Sequence, residues 1–395
     1  MIFSRLFTTV VLTTPGLAAS LAPRAVTPWS NFNDNPVFYP SKAATSWRTL
    51  YAHTLQLPDK SLLLSWEDYD PDVELTYFPI YKSTDGGATY NPLARVEDQV
   101  NGWGNWYQPF LYTLPQDFGG YSKGTILLAG VSTPRNLTEA YIVLYASENE
   151  GKDWEFVSRI VYGPGPETVT KGDKAVWEPF LMMHNDQLIC YYSTQVDPKC
   201  NQKLSHKTTK DLRNWGAEVD DVAFPNTDKR PGMAVVAYSP VSKKYVMTFE
   251  YCGGPLTGGC PVYYKVSSDP LDFASATEQP IIPNNGGLNP NGNPRVIWTP
   301  EPGMDGKGIF IANGGSREEV FVNTDALDPN GWKPVNVGQW AAYSRDLRVI
   351  QTPDDSPAKG QPKLLITNGG NMGCDGKCYN FIADGLVDIP NYPRN

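Results

Sequence analysis

The chain has 395 residues, with 33 Lys and Arg against 42 Asp and Glu, which gives a formal net charge of −9. Charged residues make up 19% of the chain and aromatic residues 12%, a composition opposite to that of disordered proteins. The acidic balance excludes the basic footprint expected of proteins that bind nucleic acid or anionic membranes. With 35 Gly and 35 Pro, the composition favours β structure with many turns over a helical bundle.

The amino-terminal segment has the pattern of a secretory signal. Arg5 is a short basic start, residues 6–17 are mostly apolar, and Ala18 and Ala19 provide small residues for cleavage. The apolar stretch is shorter than the roughly 18–20 residues of a membrane span. We predict a signal peptide over residues 1–19, with processing up to about residue 24 as an extension, and one domain over residues 25–395. The alternative interpretation of the amino-terminal segment is a buried strand or helix. We expect the protein to be secreted and not to contact a membrane.

Six cysteines fit an oxidising compartment, and their close spacing makes local disulfides the simplest connectivity. The predicted pairs are Cys190 with Cys200, Cys252 with Cys260, and Cys374 with Cys378. None has the spacing of a zinc site and the three histidines are scattered, so no metal is expected. Asn136 begins an Asn-Leu-Thr sequon, which predicts glycosylation in a secreted chain.

A turn motif recurs along the chain. Residues 83–90 and 147–154 share the pattern Ser-x-Asp/Asn-x-Gly-x-x-aromatic, and weaker copies surround Asp211, Asp269 and Asp325. The copies are spaced by about 60 residues on average, which indicates a repeat architecture. In such a turn the Asp accepts hydrogen bonds from backbone N–H groups and Gly takes a positive φ. Because each copy has one carboxylate, we interpret it as structural and not as a calcium site.

Each repeat has two β-rich runs in the same order. The first runs begin near residues 47, 108, 178, 232, 294 and 345, and the second are residues 62–66, 126–129, 188–192, 245–249, 309–312 and 364–367. Six units of this kind predict an all-β fold, a six-bladed β-propeller with four antiparallel strands per blade. Residues 37–39 are expected to supply the outer strand of the last blade. A two-sheet sandwich, the alternative, does not repeat at this interval.

Carboxylates stand at one predicted mouth of the ring, where first strands start and second strands end. Glu178 lies at the start of a first strand, and Glu250 and Glu67 lie at the ends of second strands. Glu178 and Glu250 belong to adjacent units, and each interrupts apolar or aromatic neighbours, where an unpaired carboxylate is costly to bury. Two facing carboxylates can cleave a glycosidic bond: one protonates the leaving oxygen, and the other attacks the anomeric carbon or activates water.

Further residues near this mouth are candidates for binding sugar, because sugar rings present apolar faces to aromatic side chains. The candidate substrate-binding residues are Arg48, Glu67, Trp103, Trp106, Tyr107, Arg295 and Tyr343. The alternatives are that the glutamates pair with Arg48, Arg295 or Arg345 and that the aromatic residues only pack loops. The acidic stretch 68–72 could hold calcium, but a solvated loop is the favoured interpretation.

The two glutamate motifs together resemble those of fungal exo-arabinanases of glycoside hydrolase family 93. Trp-Glu-Pro-Phe contains Glu178, and Thr-Phe-Glu-Tyr-Cys-Gly-Gly contains Glu250, 72 residues further on; the turns resemble the Asp boxes of sialidase-like propellers. The resemblance extends from about Pro28 to Pro393. It implies a retaining enzyme that removes arabinobiose from the non-reducing end of linear α-1,5-L-arabinan, with Glu178 as general acid/base and Glu250 as nucleophile. No cofactor is implied, and we expect a monomer.

Two other functions remain open from the sequence. A sialidase attacks with a tyrosine and binds its substrate's carboxylate with three arginines, roles that Tyr343 and Arg48, Arg295 and Arg345 could imitate. Against this, the chain has no Phe/Tyr-Arg-Ile-Pro start motif. A non-catalytic sugar-binding propeller would repeat its binding residues in every blade, whereas the carboxylates here fall in one sector.

Overall fold

The computed structural model describes residues 25–40, 48–283, 286–287, 289–372 and 379–394. These residues form six four-stranded antiparallel sheets arranged in a ring, which confirms the predicted six-bladed propeller. They contain no helix, and so none that could cross a membrane. The predicted signal peptide and the predicted Cys374–Cys378 pair lie outside the described residues.

The strands follow one another from the inside of each blade outwards, except that the last blade takes its outermost strand from the start of the chain. That strand is β1 (Phe32–Phe38). The first blade has β2 (Thr49–Gln56), β3 (Leu62–Asp68), β4 (Phe78–Ser83) and β5 (Asn91–Val96), and the second has β6 (Asn105–Thr113), β7 (Ile126–Ser132), β8 (Ala140–Ser147) and β9 (Glu155–Gly163). The third has β10 (Val176–His184), β11 (Gln187–Thr194), β12 (Lys203–Thr209) and β13 (Val219–Val222), and the fourth has β14 (Arg230–Ser239), β15 (Lys244–Cys252), β16 (Val262–Ser267) and β17 (Gln279–Pro280). The fifth has β18 (Arg295–Pro300), β19 (Gly308–Asn313), β20 (Glu319–Thr324) and β21 (Lys333–Asn336), and the sixth has β22 (Ala342–Ile350), β23 (Lys363–Met372) and β24 (Tyr379–Asp388).

The core lies between neighbouring blades. The second strands β3, β7 and β19 are buried along their whole length, as their continuous apolar runs predict for strands covered on both faces. Large apolar clusters join adjacent blades, such as the one shared by the second and third blades. Because burying one Leu, Ile or Phe side chain contributes about 1.5–3 kcal/mol, these interfaces hold the ring rigid around its axis.

The ring closes through the start of the chain. β1 pairs antiparallel with β24, with Phe32 opposite Leu386 and Phe38 opposite Ile382, so the prediction for residues 37–39 is confirmed for the strand ending at Phe38. The side-chain amide of Asn35, on β1, donates a hydrogen bond of 3.0 Å to the carbonyl of Ala88 in the first blade. The first strand therefore completes the sixth blade and ties it to the first.

The predicted turn motifs join the third and fourth strands of their blades. In the first copy, the Asp85 carboxylate accepts hydrogen bonds from the Ser83 hydroxyl (2.8 Å) and the Thr89 N–H (2.9 Å). In the second, the Asn149 side-chain oxygen accepts one from the Asp153 N–H at 2.9 Å. The acceptor groups are engaged by their own turns, which agrees with the structural interpretation.

The first strand of four blades carries a β-bulge where it enters the mouth of the ring. The bulge residue has a left-handed backbone conformation in each: Tyr51 (φ 48°), Gln108 (φ 52°), Glu178 (φ 63°) and Met233 (φ 61°). This conformation costs a non-glycine residue about 1–3 kcal/mol, and bulges re-aim side chains. The structure thus turns one side chain per strand toward the centre of the mouth.

The cysteine predictions have different outcomes. The Cys252–Cys260 disulfide is confirmed and joins the end of β15 to the residues before β16. The Cys190–Cys200 disulfide is wrong, because both thiols are free and buried. Cys190 lies in the middle of β11 opposite Lys207, about 13 Å of extended chain from the strand end that precedes Cys200. A disulfide requires Cα atoms within about 7 Å.

Candidate active site

A cavity of about 720 Å³ opens at the mouth where first strands begin and second strands end. The entrance residues of all six first strands line it: Tyr51, Gln108, Glu178, Met233, Asn293 and Tyr343. Glu67 and Glu250, at the ends of second strands, line it as well. The strand topology therefore brings the predicted carboxylates to one site, which we call the mouth cavity.

Glu178 and Glu250 face each other across Gly232. Glu250 pairs with Gly232 in the ladder of β14 and β15, while Glu178 projects from the bulge of β10 in the neighbouring blade. A Cβ atom on Gly232 would lie 3.2 Å from Glu250 Oε1 and 3.5 Å from Glu178 Oε2. The two oxygens are therefore no more than about 7 Å apart, which accommodates the separation of about 5–5.5 Å between the carboxylates of retaining glycosidases.

Glu178 is held mainly through one of its oxygens. Oε2 accepts hydrogen bonds from the Ser193 hydroxyl (2.5 Å) and the Met233 N–H (2.8 Å). Oε1 lies 3.3 Å from the Tyr51 hydroxyl. Burial raises the pKa of the Glu178 carboxyl, while the Ser193 hydrogen bond and the Arg230 charge oppose the rise. A proton on Oε1 would thus be fixed in position and available to a ligand.

Glu250 has fewer hydrogen-bond donors. Its Oε2 accepts a long hydrogen bond of 3.4 Å from the Asn293 N–H, and its Oε1 lies 3.8 Å from Cys252 Sγ. Burial, followed by the negative charge of Glu178, raises the pKa of Glu250 to about 7, against the opposing charge of Arg230. A weakly solvated carboxylate of this kind is a competent nucleophile once it is ionised.

Two further carboxyl groups line the mouth cavity. Glu67 accepts hydrogen bonds from the Tyr69 hydroxyl (2.6 Å) and the Gln108 N–H (2.8 Å), and burial raises its pKa to about 8. Glu167 lies in the loop between β9 and β10 and accepts from the Val176 N–H at 3.3 Å, and burial raises its pKa to about 9. Its Oε1 is buried with no partner among the described residues. Both groups are neutral at pH 7 and can donate an O–H hydrogen bond.

Three predicted substrate-binding residues line the mouth cavity: Glu67, Tyr107 and Tyr343. Tyr343 is 45% exposed, and its hydroxyl lies 3.3 Å from that of Tyr51. Tyr107 packs edge-on against Tyr69, with ring centroids 6.0 Å apart. These rings provide the aromatic walls expected from the sequence.

Three other predicted substrate-binding residues do not line the mouth cavity in this structure, and their contact with substrate stays a prediction. Arg48 is exposed, and its carbonyl accepts a hydrogen bond from the Tyr69 N–H at 3.0 Å. Trp103 stacks on Tyr141 of its own blade, with ring centroids 5.7 Å apart. Trp106 packs behind Tyr69, at 5.9 Å between centroids, because the strand entering the mouth presents Tyr107 and Gln108 instead.

The arginines of the sialidase alternative do not converge. Arg295 does not line the mouth cavity; it lines a narrow passage of about 30 Å³ beneath it and pairs with Asp346 at 3.4 Å. Arg345 is completely buried and donates to backbone carbonyls, including that of Glu318 at 3.1 Å. With Arg48 outside the cavity as well, no triad of these arginines can hold a carboxylate there.

Several residues of the mouth cavity were not predicted from the sequence. They are Tyr51, Tyr69, Gln108, Glu167, Trp177, Arg230, Met233, Asn291 and Asn293. Tyr51, Gln108, Met233 and Asn293 occupy the same entrance position as Glu178, so examining that position for all residue types, and not for carboxylates alone, would have found them. The guanidinium carbon of Arg230 lies 5.2 Å from the centroid of the Trp177 ring. This contact joins two blades, so no local sequence pattern predicts it.

Within the described ranges, the one cluster with the spacing of metal ligands is Glu250 with Cys252 and Cys260, whose sulfurs are bonded to each other. In the acidic stretch 68–72, the Asp72 N–H donates to Asp70 Oδ1 at 2.9 Å, a local turn. Asn136 is exposed, and its glycosylation stays a prediction.

Comparison with known proteins adds an independent observation. No family model matches the chain, and no curated protein does either. Among solved structures, the family 93 α-L-arabinofuranosidase of Fusarium graminearum in complex with arabinobiose is 39% identical, with a TM-score of 0.82 over 91% of this chain and 98% of that one. The chain belongs to glycoside hydrolase family 93. The resemblance inferred from the two glutamate motifs is thereby confirmed.

A second solved structure agrees with this membership of family 93. The α-L-arabinanase of Penicillium chrysogenum, complexed with arabinobiose, is 38% identical, with a TM-score of 0.81 over 91% of this chain and 98% of that chain. A glutamate-to-alanine variant of the Fusarium enzyme, bound to an iminosugar inhibitor, matches equally well. The family 93 fold thus extends across the described blades.

Proposed function

We propose that the protein is a secreted, retaining exo-arabinanase that releases arabinobiose from the non-reducing end of linear α-1,5-L-arabinan. The observation that carries the proposal is the pair of carboxylates, partly buried Glu178 and buried Glu250, facing each other within an aromatic-walled cavity. Two similar proteins have been solved with arabinobiose bound. The Cys252–Cys260 disulfide and the exposed sequon at Asn136 support secretion.

In the first chemical step, ionised Glu250 attacks the anomeric carbon of the bound arabinobiosyl unit. Protonated Glu178 gives its proton to the glycosidic oxygen, so the C–O bond breaks and the remaining arabinan leaves with a new hydroxyl group. The Ser193 and Met233 hydrogen bonds hold Glu178 Oε2, which leaves Oε1 to deliver the proton. The product of this step is a covalent ester between the sugar and Glu250.

In the second step, ionised Glu178 removes a proton from water, and the water oxygen attacks the anomeric carbon. The ester bond to Glu250 breaks, arabinobiose leaves with its original configuration, and Glu178 is again protonated. The same two carboxyl groups therefore return to their starting states. No cofactor is required for this exchange.

The remaining cavity residues suit a short sugar chain. A volume of about 720 Å³ lies within the usual range for ligand pockets. Tyr107 and Tyr343 offer rings to the apolar faces of the sugars, and the neutral carboxyl groups of Glu67 and Glu167 can donate hydrogen bonds to sugar oxygens. Binding and catalysis thus use different carboxyl groups of the same cavity.

The test compares the wild type with Glu178→Ala and Glu250→Ala on debranched arabinan. We expect each variant to lose at least about 10³-fold in kcat while keeping its fold, because each lacks a reacting group. Glu97→Ala, which changes an exposed carboxylate, is the matched control and should be unaffected. Azide should rescue Glu250→Ala on an activated aryl arabinobioside and give a glycosyl azide of inverted configuration.

Other outcomes would contradict the proposal. Near-normal arabinobiose release by either variant would remove the carboxylate pair from the mechanism. NMR that shows inversion of the anomeric configuration by the wild type would exclude the covalent step. Binding of arabinan without any released sugar would favour the sugar-binding propeller, and cleavage of a sialoside would favour the sialidase.

A further inference from the structure

The Cys252–Cys260 disulfide closes a loop directly beside the proposed nucleophile. Cys252 follows Glu250 by two residues on β15, so the two side chains lie on the same face of the strand. Cys252 Sγ lies 3.8 Å from Glu250 Oε1. The closed loop, residues 252–260, therefore begins in contact with the carboxylate and ends at the start of β16.

This loop holds a second segment, residues 291–293, which leads into β18 of the next blade. The Cys260 N–H donates to Asn291 Oδ1 at 2.5 Å, and the Cys260 carbonyl accepts from the Gly292 N–H at 2.9 Å. The Asn291 side-chain amide donates to the Gly258 carbonyl at 2.8 Å. Asn291 thus bonds to two points of the closed loop.

The same segment reaches the other oxygen of the carboxylate. The Asn293 N–H donates to Glu250 Oε2 at 3.4 Å, and a Cβ on Gly292 would lie 3.9 Å from that oxygen. Asn291, Gly292 and Asn293 all line the mouth cavity. Glu250 is therefore flanked by the disulfide on Oε1 and, on Oε2, by a backbone amide that the disulfide-closed loop supports.

We propose that the Cys252–Cys260 disulfide, acting through residues 291–293, positions the Glu250 carboxylate, so that reducing this bond lowers turnover. This inference rests on the proposed role of Glu250 as nucleophile. A dithiol reductant supplies two electrons and two protons: the S–S bond breaks, two thiols form, and the reductant closes to its cyclic disulfide. The loop then loses its covalent closure, and Glu250 loses its fixed surroundings.

If the disulfide positions Glu250, its loss changes the pKa of this carboxylate. Loss of a disulfide that only stabilises the fold would not have this effect. The groups facing Glu250 are Glu178 on β10, Arg230 before the bulge of β14, the Asn293 N–H and the Tyr343 hydroxyl, and burial is the largest cause of its raised pKa. A loosened loop admits water, so the pKa of Glu250 falls toward its ordinary value. Because Glu250 acts ionised, the ascending limb of kcat/KM moves to lower pH.

The decisive comparison is between the wild type and the Cys252→Ala/Cys260→Ala double variant. We expect kcat to fall by about 10²-fold with KM little changed, since a carboxylate displaced by about 1 Å attacks poorly. We also expect the shift in the ascending limb to lower pH. Cys200→Ala, which removes a free buried thiol outside the mouth cavity, is the matched control and should change neither quantity.

Reduction of the wild type with dithiothreitol in the presence of EDTA should reproduce both effects, and reoxidation should reverse them. The same treatment should leave the double variant unchanged, which separates this disulfide from the other cysteines. Asn291→Ala keeps the disulfide but removes both side-chain hydrogen bonds that join the closed loop to residues 291–293, leaving only the backbone bond of Gly292, so it should shift kcat and the ascending pH limb in the same direction. If the double variant does not fold, Asn291→Ala still tests whether the disulfide-closed loop positions Glu250.

A fall in melting temperature with unchanged kcat and pH limb, in the folded double variant or in Asn291→Ala, would overturn the positioning role. That outcome would not contradict the proposed hydrolysis of arabinan. A wild type that releases no sugar would instead overturn the proposed function and this inference together.

Discussion

Four carboxyl side chains share the mouth cavity, and their surroundings divide them into two kinds. Glu178 and Glu250 lie on either side of Gly232, close enough for each to influence the charge of the other. Glu67 and Glu167 carry pKa values raised by burial to about 8 and about 9, so both are protonated at neutral pH. We assign the first pair to chemistry and the second to hydrogen bonding with the sugar.

Glu167 provides the sharper test of this division, because its Oε1 has no partner among the described residues. Glu167→Leu removes both oxygens at nearly constant size and should lower kcat/KM on arabinan by about 10–100-fold, mainly through KM, as expected when a buried hydrogen bond is lost. Glu167→Gln keeps one donor and one acceptor and should stay within about threefold of the wild type.

Steady-state kinetics on debranched arabinan, with melting temperatures for both variants, check this expectation. Equal kcat/KM for Glu167→Leu and the wild type would show that the sugar does not contact this carboxyl group.

The sequence identified Glu67, Glu178 and Glu250 for a physical reason: each interrupts an apolar run at a strand end. Glu167 has no such context, because the loop between β9 and β10 brings it to the cavity and no strand period specifies that path. Residues at strand ends could therefore be predicted, and residues on long loops could not.

At the scale of the elements, Gly232 provides the space between the two proposed catalytic groups. A methyl group there would lie 2.9 Å from Gln202 Nε2, 3.2 Å from Glu250 Oε1 and 3.5 Å from Glu178 Oε2. Gly232→Ala should therefore lower kcat by about 10²-fold or more, because the tight contacts at 2.9 and 3.2 Å displace Gln202 and the Glu250 carboxylate and so change its position relative to Glu178.

Gly216→Ala is the matched control, since its methyl group would meet only the Thr208 carbonyl at 3.4 Å and the Thr208 hydroxyl at 3.7 Å. Activity assays and circular dichroism on the two variants provide the comparison. Full activity of Gly232→Ala would mean that the carboxylates can separate without harm to the chemistry.

Regular strands could be predicted from the sequence, whereas the β-bulges within them could not. Periodic apolar runs and turns predicted the strands, their order and the closing strand, because burial imposes a period of two. The bulge residues Tyr51, Gln108, Glu178 and Met233 share a backbone conformation but no residue type, so no pattern marks them. A one-residue change of register sends a side chain to the opposite face, so of the two neighbouring candidates Trp106 and Tyr107 only Tyr107 lines the mouth cavity, beside Gln108.

At the scale of the whole molecule, six similar blades carry one asymmetric site. The entrance positions of the first five blades share a left-handed backbone conformation, yet only the third blade places a carboxylate there, and only the fourth adds a second beside it. A repeated scaffold fixes the positions, and single residues in one sector provide the chemistry. This arrangement favours one enzymatic site over six equal binding sites.

The buried acids also set how the stability of the whole ring depends on pH. Glu67 and Glu167 have folded pKa values of about 8 and about 9, above the ordinary glutamate value of 4.5 that applies when the chain unfolds. Between pH 6.5 and 9 the folded state therefore binds more protons, and stability falls as pH rises, by up to about 1.4 kcal/mol per pH unit for each group. Buried His53, whose pKa is lowered from 6.5 to about 3, has the opposite effect, which is strongest between these two values and fades above pH 6.5.

We therefore expect the melting temperature to decline steadily from pH 6.5 to 9. Glu167→Gln cannot lose a proton, so its melting temperature should decline less steeply, while Glu97→Gln, which changes an exposed carboxylate, should follow the wild type. Differential scanning calorimetry across the window measures all three slopes. Equal slopes for the wild type and Glu167→Gln would show that Glu167 does not bind an extra proton in the folded protein and would remove its proposed role as a hydrogen-bond donor to sugar.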